Sequence, residues 1–165
     1  MPTVKLRHAV RAVVLDEENR ILLCRLVIPK PTGAITVWAA PGGGVERGET
    51  LLGALQGELH EEVGLTLEGD PPQVWHQEVV AAGHAEGCDG VVNDYFLVRT
   101  ASFHPRGAMT DDQLAAENLR GLRWWRPAEI AGHRGLELFS PRDLATPLAA
   151  LIAGGAPAEP VRLGL

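Results

Sequence analysis

"PGGGVERGETLLGALQGELHEEVGL", residues 41–65, is the stretch on which the fold turns. From Thr50 to Val63, the residues Leu52, Leu55, Leu59 and Val63 recur at spacings of three and four, the apolar stripe of an amphipathic helix. Gly64 is placed to end that helix. On the other side, Glu58, Glu61 and Glu62 crowd like charges together, and no lysine or arginine lies between Thr50 and Val63 to relieve them. Gly57 weakens the helix at the same point, by about 0.8–1 kcal/mol relative to alanine. Two readings stand open. The glutamates form a solvated acidic face, or they surround a hard divalent cation that takes oxygen ligands. The glycines just upstream allow tight backbone geometry next to a helix start, where N–H and C=O groups approach a ligand closely. Alone, such a run is merely a turn.

Outward from this segment the chain alternates irregularly. Residues 9–15 and 21–28 are rich in β-branched and apolar residues and are separated by "DEENR", the pattern of a β-hairpin. Residues 29–34 read as a loop, and "ITVWAAPGGG" as a short strand running into a glycine turn. "QVWHQEVV", "VVNDYFLVRT" and "LRWWR" read as further strands, and residues 101–121 as polar and irregular. Ser140 followed by Pro141 is a candidate helix start. Pro147 restarts a helix that Gly154 and Gly155 end. The expectation is one mixed α/β domain over residues 1–165, loosely held from about 154.

Composition narrows the function classes. The chain has 165 residues, 45% apolar and 22% charged, an ordinary globular balance with enough length for a real core. Its formal net charge of −6 argues against duplex nucleic acid, which demands a basic surface. No apolar run is long enough to span a bilayer, and the N-terminus lacks the pattern of a signal peptide. Cys24 and Cys88 form no CxxC, which argues against a disulfide framework or a cysteine-rich zinc site. The expected location is a reducing cytoplasm.

Taken together, Gly43, Glu49, Glu58, Leu59, Glu61, Glu62, Gly64 and Leu65 resemble the box of the Nudix hydrolase superfamily, G-x5-E-x7-R-E-U-x-E-E-x-G-U with U aliphatic. Gly57 is the one departure, standing where the family has arginine. The lead-in from Trp38 to Gly43 is also similar, and "WWRPAEI" extends the likeness weakly. The resemblance implies a Nudix-like α/β/α sandwich around a central mixed sheet, with the box as a loop-helix-loop. It implies metal-dependent hydrolysis of a nucleoside diphosphate linked to another moiety, with water attacking phosphorus. The cofactor is expected to be Mg²⁺, with Mn²⁺ as the alternative, held at Gly43, Glu58, Glu61 and Glu62. A catalytic carboxylate comes from these glutamates or from a later loop, where Glu117 competes with Asp111 and Asp112.

In the family, the box arginine steadies the glutamates. Its absence leaves open a less constrained site, a replacement cation such as Arg47 or Arg25, or a catalytically weakened nucleotide-binding or regulatory module. Retention of all four box glutamates favours an enzyme. Arg7, Arg11 and Arg25 on the first hairpin are expected at substrate phosphate, or as exposed strand charges. Trp38 is the expected base platform, against the alternative of a core tryptophan. The expected partner is a small nucleotide derivative and no membrane; monomer and homodimer both remain open.

Rival motifs are weaker. "HEEVG" lacks the second histidine of a zinc protease, and "HAE" at His84 has no P-C-x-x-C after it. His84, Glu86, Cys88 and Asp89 read as a substrate-facing loop rather than a metal site. The positions that carry secondary markers in some subfamilies hold Val80, Ala81, Ala82 and Gly83, so the sequence does not name the substrate.

Overall fold

The computed structural model describes residues 5–80 and 90–165. His84, Glu86, Cys88 and Asp89, and the marker positions 81–83, therefore lie outside the described residues. In chain order the elements are β1 (Leu6–Leu15), β2 (Ile21–Ile28), β3 (Ile35–Ala39), β4 (Gly42–Gly44), α1 (Leu51–Glu62), β5 (Gln73–Val80), β6 (Gly90–Arg99), α2 (Asp111–Ala116), β7 (Leu119–Trp125), α3 (Pro127–Ala131), β8 (Leu138–Ser140), α4 (Ala145–Gly154) and β9 (Val161–Leu163).

The strands form one mixed sheet in the order β8-β3-β2-β1-β6-β5-β9, with β4 added on β1 and β7 on β2. The first two strands meet as a hairpin, but only Leu15 and Ile21 are paired across it. The buried Asp16 shapes the turn by accepting backbone N–H bonds from Glu18 and Arg20. Beyond the turn β1 parts from β2. It runs parallel to β6 over its whole length, from Leu6↔Gly90 to Leu15↔Arg99.

Alternation along β1 then decides the two layers. Val13 and Leu15 face one side with Trp38, Trp75, Tyr95 and Trp125, where α3 and α4 bring Ile130, Leu144 and Leu148. Val10, Ala12 and Val14 face the other, where α1 buries Ala54, Leu55 and Leu59. Burying each such leucine contributes roughly 1.5–3 kcal/mol. Helices thus cover both faces of a curled mixed sheet, as the resemblance implies.

The helix α1 starts where Thr50 Oγ1 accepts the Gly53 N–H at 3.0 Å. It ends at Val63 and Gly64, and Gly64 has a φ of 78° that a side chain rarely adopts.

Several local expectations change. The glycine run is itself strand β4, because Ala9, Val10 and Arg11 pair with Gly44, Gly43 and Gly42. The polar stretch 101–121 contains α2, started by a capping box between Thr110 and Gln113. Pro127 opens the short helix α3. No helix starts at Ser140: that residue ends β8, the Ser140–Pro141 peptide is cis, and the helix begins at Ala145. The tail is not loose throughout, since Val161–Leu163 lie parallel to β5.

Candidate active site

The 3.6-residue period of α1 places Glu58 and Glu62 one turn apart, on the flank that meets β4 and β2 rather than open solvent. Glu62 is only 4% exposed and Glu58 is half-buried, whereas Glu61 is exposed. The three glutamates therefore do not share one environment. Gly43 explains the close approach. A Cβ built on it would sit 2.6 Å from the Glu58 carboxyl, so a side chain there would push that carboxyl aside.

Burial pushes the Glu62 carboxyl up to about 8, helped by its hydrogen bond and charge contact with Glu58; Arg11 pulls it back down, and Glu117 adds to the rise. Glu58 is also raised, by burial first, with repulsion from Glu61 and Glu117 opposed by its bond to Glu62 and by Arg11. The thiol of Cys24 donates to Glu62 Oε2 at 3.7 Å, and burial keeps that thiol protonated.

Glu62, Glu117, Arg11 and Cys24 line one cavity of about 150 Å³, closed by Gly42 and Ala40. A second cleft of about 540 Å³ also reaches Glu62 and is walled by Phe103, Arg106, Arg120 and Trp124. A larger cleft of about 860 Å³, between residues 65–72 and 97–101, touches none of the box glutamates. Size favours that cleft, but its acidic residues, Glu68 and Asp70, are exposed and none of the box glutamates reaches it.

The expected site residues thus separate. Gly43, Glu58, Glu62, Glu117 and Arg11 come together. Glu61 lies at the rim. Arg7 packs its guanidinium over Gly44, next to the cluster but outside the cavity. Arg25 points to Glu137, with its Nε 3.7 Å from the carboxylate, and does not line the cavity. Trp38 is corrected from base platform to core: it is 6% exposed and packs edge-on against Trp125 at 5.1 Å, on the sheet face away from α1. Its rings present no open face to a base. Glu49 accepts the Glu46 N–H and closes the turn before α1. Sequence reasoning missed Cys24 as a neighbour of Glu62, and no motif marks it.

Among the described residues, no group of three or more His, Cys, Asp or Glu side chains is arranged as a metal cage. The residues nonetheless suit a hard cation. Mg²⁺ is usually held by one or two carboxylates with waters and substrate phosphates, not by an all-protein cage. The buried Glu62 and half-buried Glu58, with Glu58 against the backbone of Gly43, are such a donor set.

A family model described as the NUDIX domain matches residues 5–146. A nucleoside triphosphatase NudI of Salmonella heidelberg is 26% identical over 121 residues, covering 72% of this chain and 81% of that protein. An RNA pyrophosphohydrolase of Sulfurovum sp. is 33% identical over 98 residues, 56% of this chain and 62% of that one. Among solved structures, the E. coli ORF135 protein superposes with a TM-score of 0.65 at 21% identity, covering 96% of this chain and all of that one. The MutT protein of Methanosarcina mazei Go1 gives 0.64 at 17% identity, covering 93% and 97%. The chain belongs to the NUDIX domain family.

Proposed function

We propose that this NUDIX family member hydrolyses the pyrophosphate bond of a small nucleotide derivative, a nucleoside diphosphate linked to a further group. The observation that carries this reading is the buried Glu62 beside the half-buried Glu58, which is held against the glycine strand β4. The NudI and RNA pyrophosphohydrolase names of the related proteins support the same bond type.

Glu58 and Glu62 would hold a divalent cation, Mg²⁺ or Mn²⁺, with Glu61 at the rim and the backbone of Gly43 beside them. When bound, the cation would neutralise diphosphate charge and raise the acidity of bound water. The protein's own part is fixed geometry. Glu117, across the cavity from α1, accepts a proton from the attacking water. Arg11 supplies positive charge on the cavity wall. The α1 helix, anchored by Leu55 and Leu59, keeps the carboxyls from moving apart. The cleft walled by Trp124 and Phe103 offers apolar surface to the rest of the substrate. The free thiol of Cys24, buried at the site, suits a reducing cytoplasm.

The test is a screen of nucleoside di- and triphosphates, nucleotide sugars, ADP-ribose and dinucleoside polyphosphates with Mg²⁺ or Mn²⁺. Turnover of at least one class, abolished by chelator and restored by added metal, is expected. Tight nucleotide binding with no turnover across the screen would favour the binding module instead.

A further inference from the structure

We infer that the C-terminal end of the chain braces the active site: Gln77 and Asn93 carry its anchorage to Arg11 and fix that guanidinium on the cavity wall. This rests on the reading of that cavity as the site of hydrolysis. The register of the sheet lays the parts in one row. Arg11 stands on β1 two residues beyond Ala9, Ala9 pairs with Asn93 on β6, Asn93 pairs with Gln77 on β5, and Gln77 pairs with Leu163 on β9. Residues two apart on a strand share a face, so Arg11, Asn93 and Gln77 reach one another across three strands.

Four hydrogen bonds close the row. Arg11 Nη1 donates to the Ala40 carbonyl at 2.9 Å, and Nε donates to Asn93 Oδ1 at 3.2 Å. Asn93 Nδ2 donates to Gln77 Oε1 at 3.0 Å, and Gln77 Nε2 to the Gly164 carbonyl at 2.6 Å. Chemistry sets the direction of this row. A guanidinium has only donors, so Asn93 must turn its oxygen to Arg11 and its nitrogen to Gln77. Gln77 then meets Asn93 with its oxygen and needs an acceptor for its own nitrogen. The Gly164 carbonyl, just past β9, supplies one. Asn93 and Gln77 are 9% and 3% exposed, so these bonds are shielded from competing water. Without the tail carbonyl a buried donor would stand unpaired, and nothing would hold the two amides in this order.

The row also leaves one end of the guanidinium open. Among the described residues, nothing accepts from Arg11 Nη2. Arg11 lines the cavity that holds Glu62 and Glu117. Pinned on Nε and Nη1, it keeps Nη2 for a ligand oxygen, such as one on a substrate phosphate. Gln77 and Asn93 do not line the cavity; they are positioning residues that act through Arg11.

The test is Gln77→Met, which keeps the buried bulk and removes the amide. Two-dimensional NMR of the full chain follows the Arg11 Nε–H, assigned by its loss in Arg11→Lys. That proton exchanges with water at least about tenfold faster in Gln77→Met than in wild type. Gln77→Asn, one methylene too short to bridge both partners, gives the same result and serves alone if the methionine variant does not fold. Adding Asn93→Asp to either variant restores slow exchange, because a carboxylate holds the guanidinium without the relay. A bond that only tethers the tail would leave Arg11 Nε–H exchange at the wild-type rate, and that result overturns the proposal. In steady state, Gln77→Met raises KM at least about threefold with kcat within about twofold. Faster exchange with KM unchanged also overturns it, since the brace would then not serve the site. A wild type that turns over nothing, with the exchange coupling intact, sinks the hydrolase reading and leaves the brace on Arg11 standing.

Discussion

The two faces of the sheet bury different chemistry. On one, Trp38, Trp75, Tyr95 and Trp125 pack edge-to-face with centroids 5.1–5.4 Å apart, and Trp38 and Trp125 leave their indole N–H groups without a partner. On the other, α1 lays a leucine stripe against Val10, Ala12 and Val14, and beside it buries Glu62 and half-buries Glu58. The first face is organised for stability. The second holds a buried acid whose ionisation is suppressed until a cation replaces its proton. Substitutions of the first face's rings should therefore change melting and leave kinetics alone, and substitutions of the second face's carboxyls should do the reverse.

The largest effect belongs to the tryptophan face. Trp38→Ala removes a buried ring and should destabilise by about 3–5 kcal/mol, with KM of the folded fraction unchanged. Denaturant unfolding and steady-state kinetics on one preparation check this. A raised KM with intact stability would return Trp38 to the substrate site.

Next comes Glu62→Gln, nearly isosteric. It should reduce kcat by more than about a hundredfold, about 2.7 kcal/mol of barrier, while melting is unchanged or raised, because a neutral amide removes the like-charge contact. Glu61→Gln, at the exposed rim, should cost less than about tenfold. Equal losses in the two variants would show that burial does not rank the glutamates.

The pH dependence gives a smaller effect with a definite sign. Glu62 titrates near 8 in the folded chain against an ordinary value of 4.5. The folded state therefore binds the extra proton between these values, and metal-free stability falls as pH rises through that window. A divalent cation replaces the proton, so its affinity rises over the same range and the fall in stability flattens when Mg²⁺ is added. Melting scans at several pH values, with and without Mg²⁺, read both trends. A metal-free melting temperature that rises with pH across this window would contradict the burial argument.

The smallest effect is Gly57→Arg. The space around Gly57 is open, so no side chain obstructs an arginine there. Helix propensity alone should add up to about 1 kcal/mol. Turnover should rise little, because burial beside Cys24 already fixes Glu62. A large gain in kcat would show that the pair is poorly held in the present chain.

Much of the frame was legible. The period of Leu52, Leu55, Leu59 and Val63 marks α1, and the β-branched runs mark β1, β2, β5 and β6, because local pattern and tertiary burial agree there. The helix α2 was also written in the sequence, as Thr110 and Gln113 at capping-box spacing, but the polarity around it hid the signal. Strand β4 was not legible: glycines carry no strand preference, and Gly42–Gly44 are extended only because β1 offers an edge. Trp38 misled for a related reason. Its nearness in sequence to Gly43 says nothing of which sheet face it takes, and alternation along β3 turns it inward. The meeting of Arg11, Glu62 and Glu117 at one cavity depends on the register of β1 against β4 and β6, which no spacing within one segment specifies.

The cation is expected at the Glu58–Glu62 pair rather than on the acidic face as a whole. Mn²⁺ titration followed by electron paramagnetic resonance, at pH 8.5 without substrate, tests it in wild type, in Glu58→Gln/Glu62→Gln and in Trp38→Phe. The account predicts that the double variant binds Mn²⁺ at least about tenfold more weakly than wild type, while Trp38→Phe binds as wild type does. Equal Mn²⁺ affinity in the double variant and the wild type would contradict it.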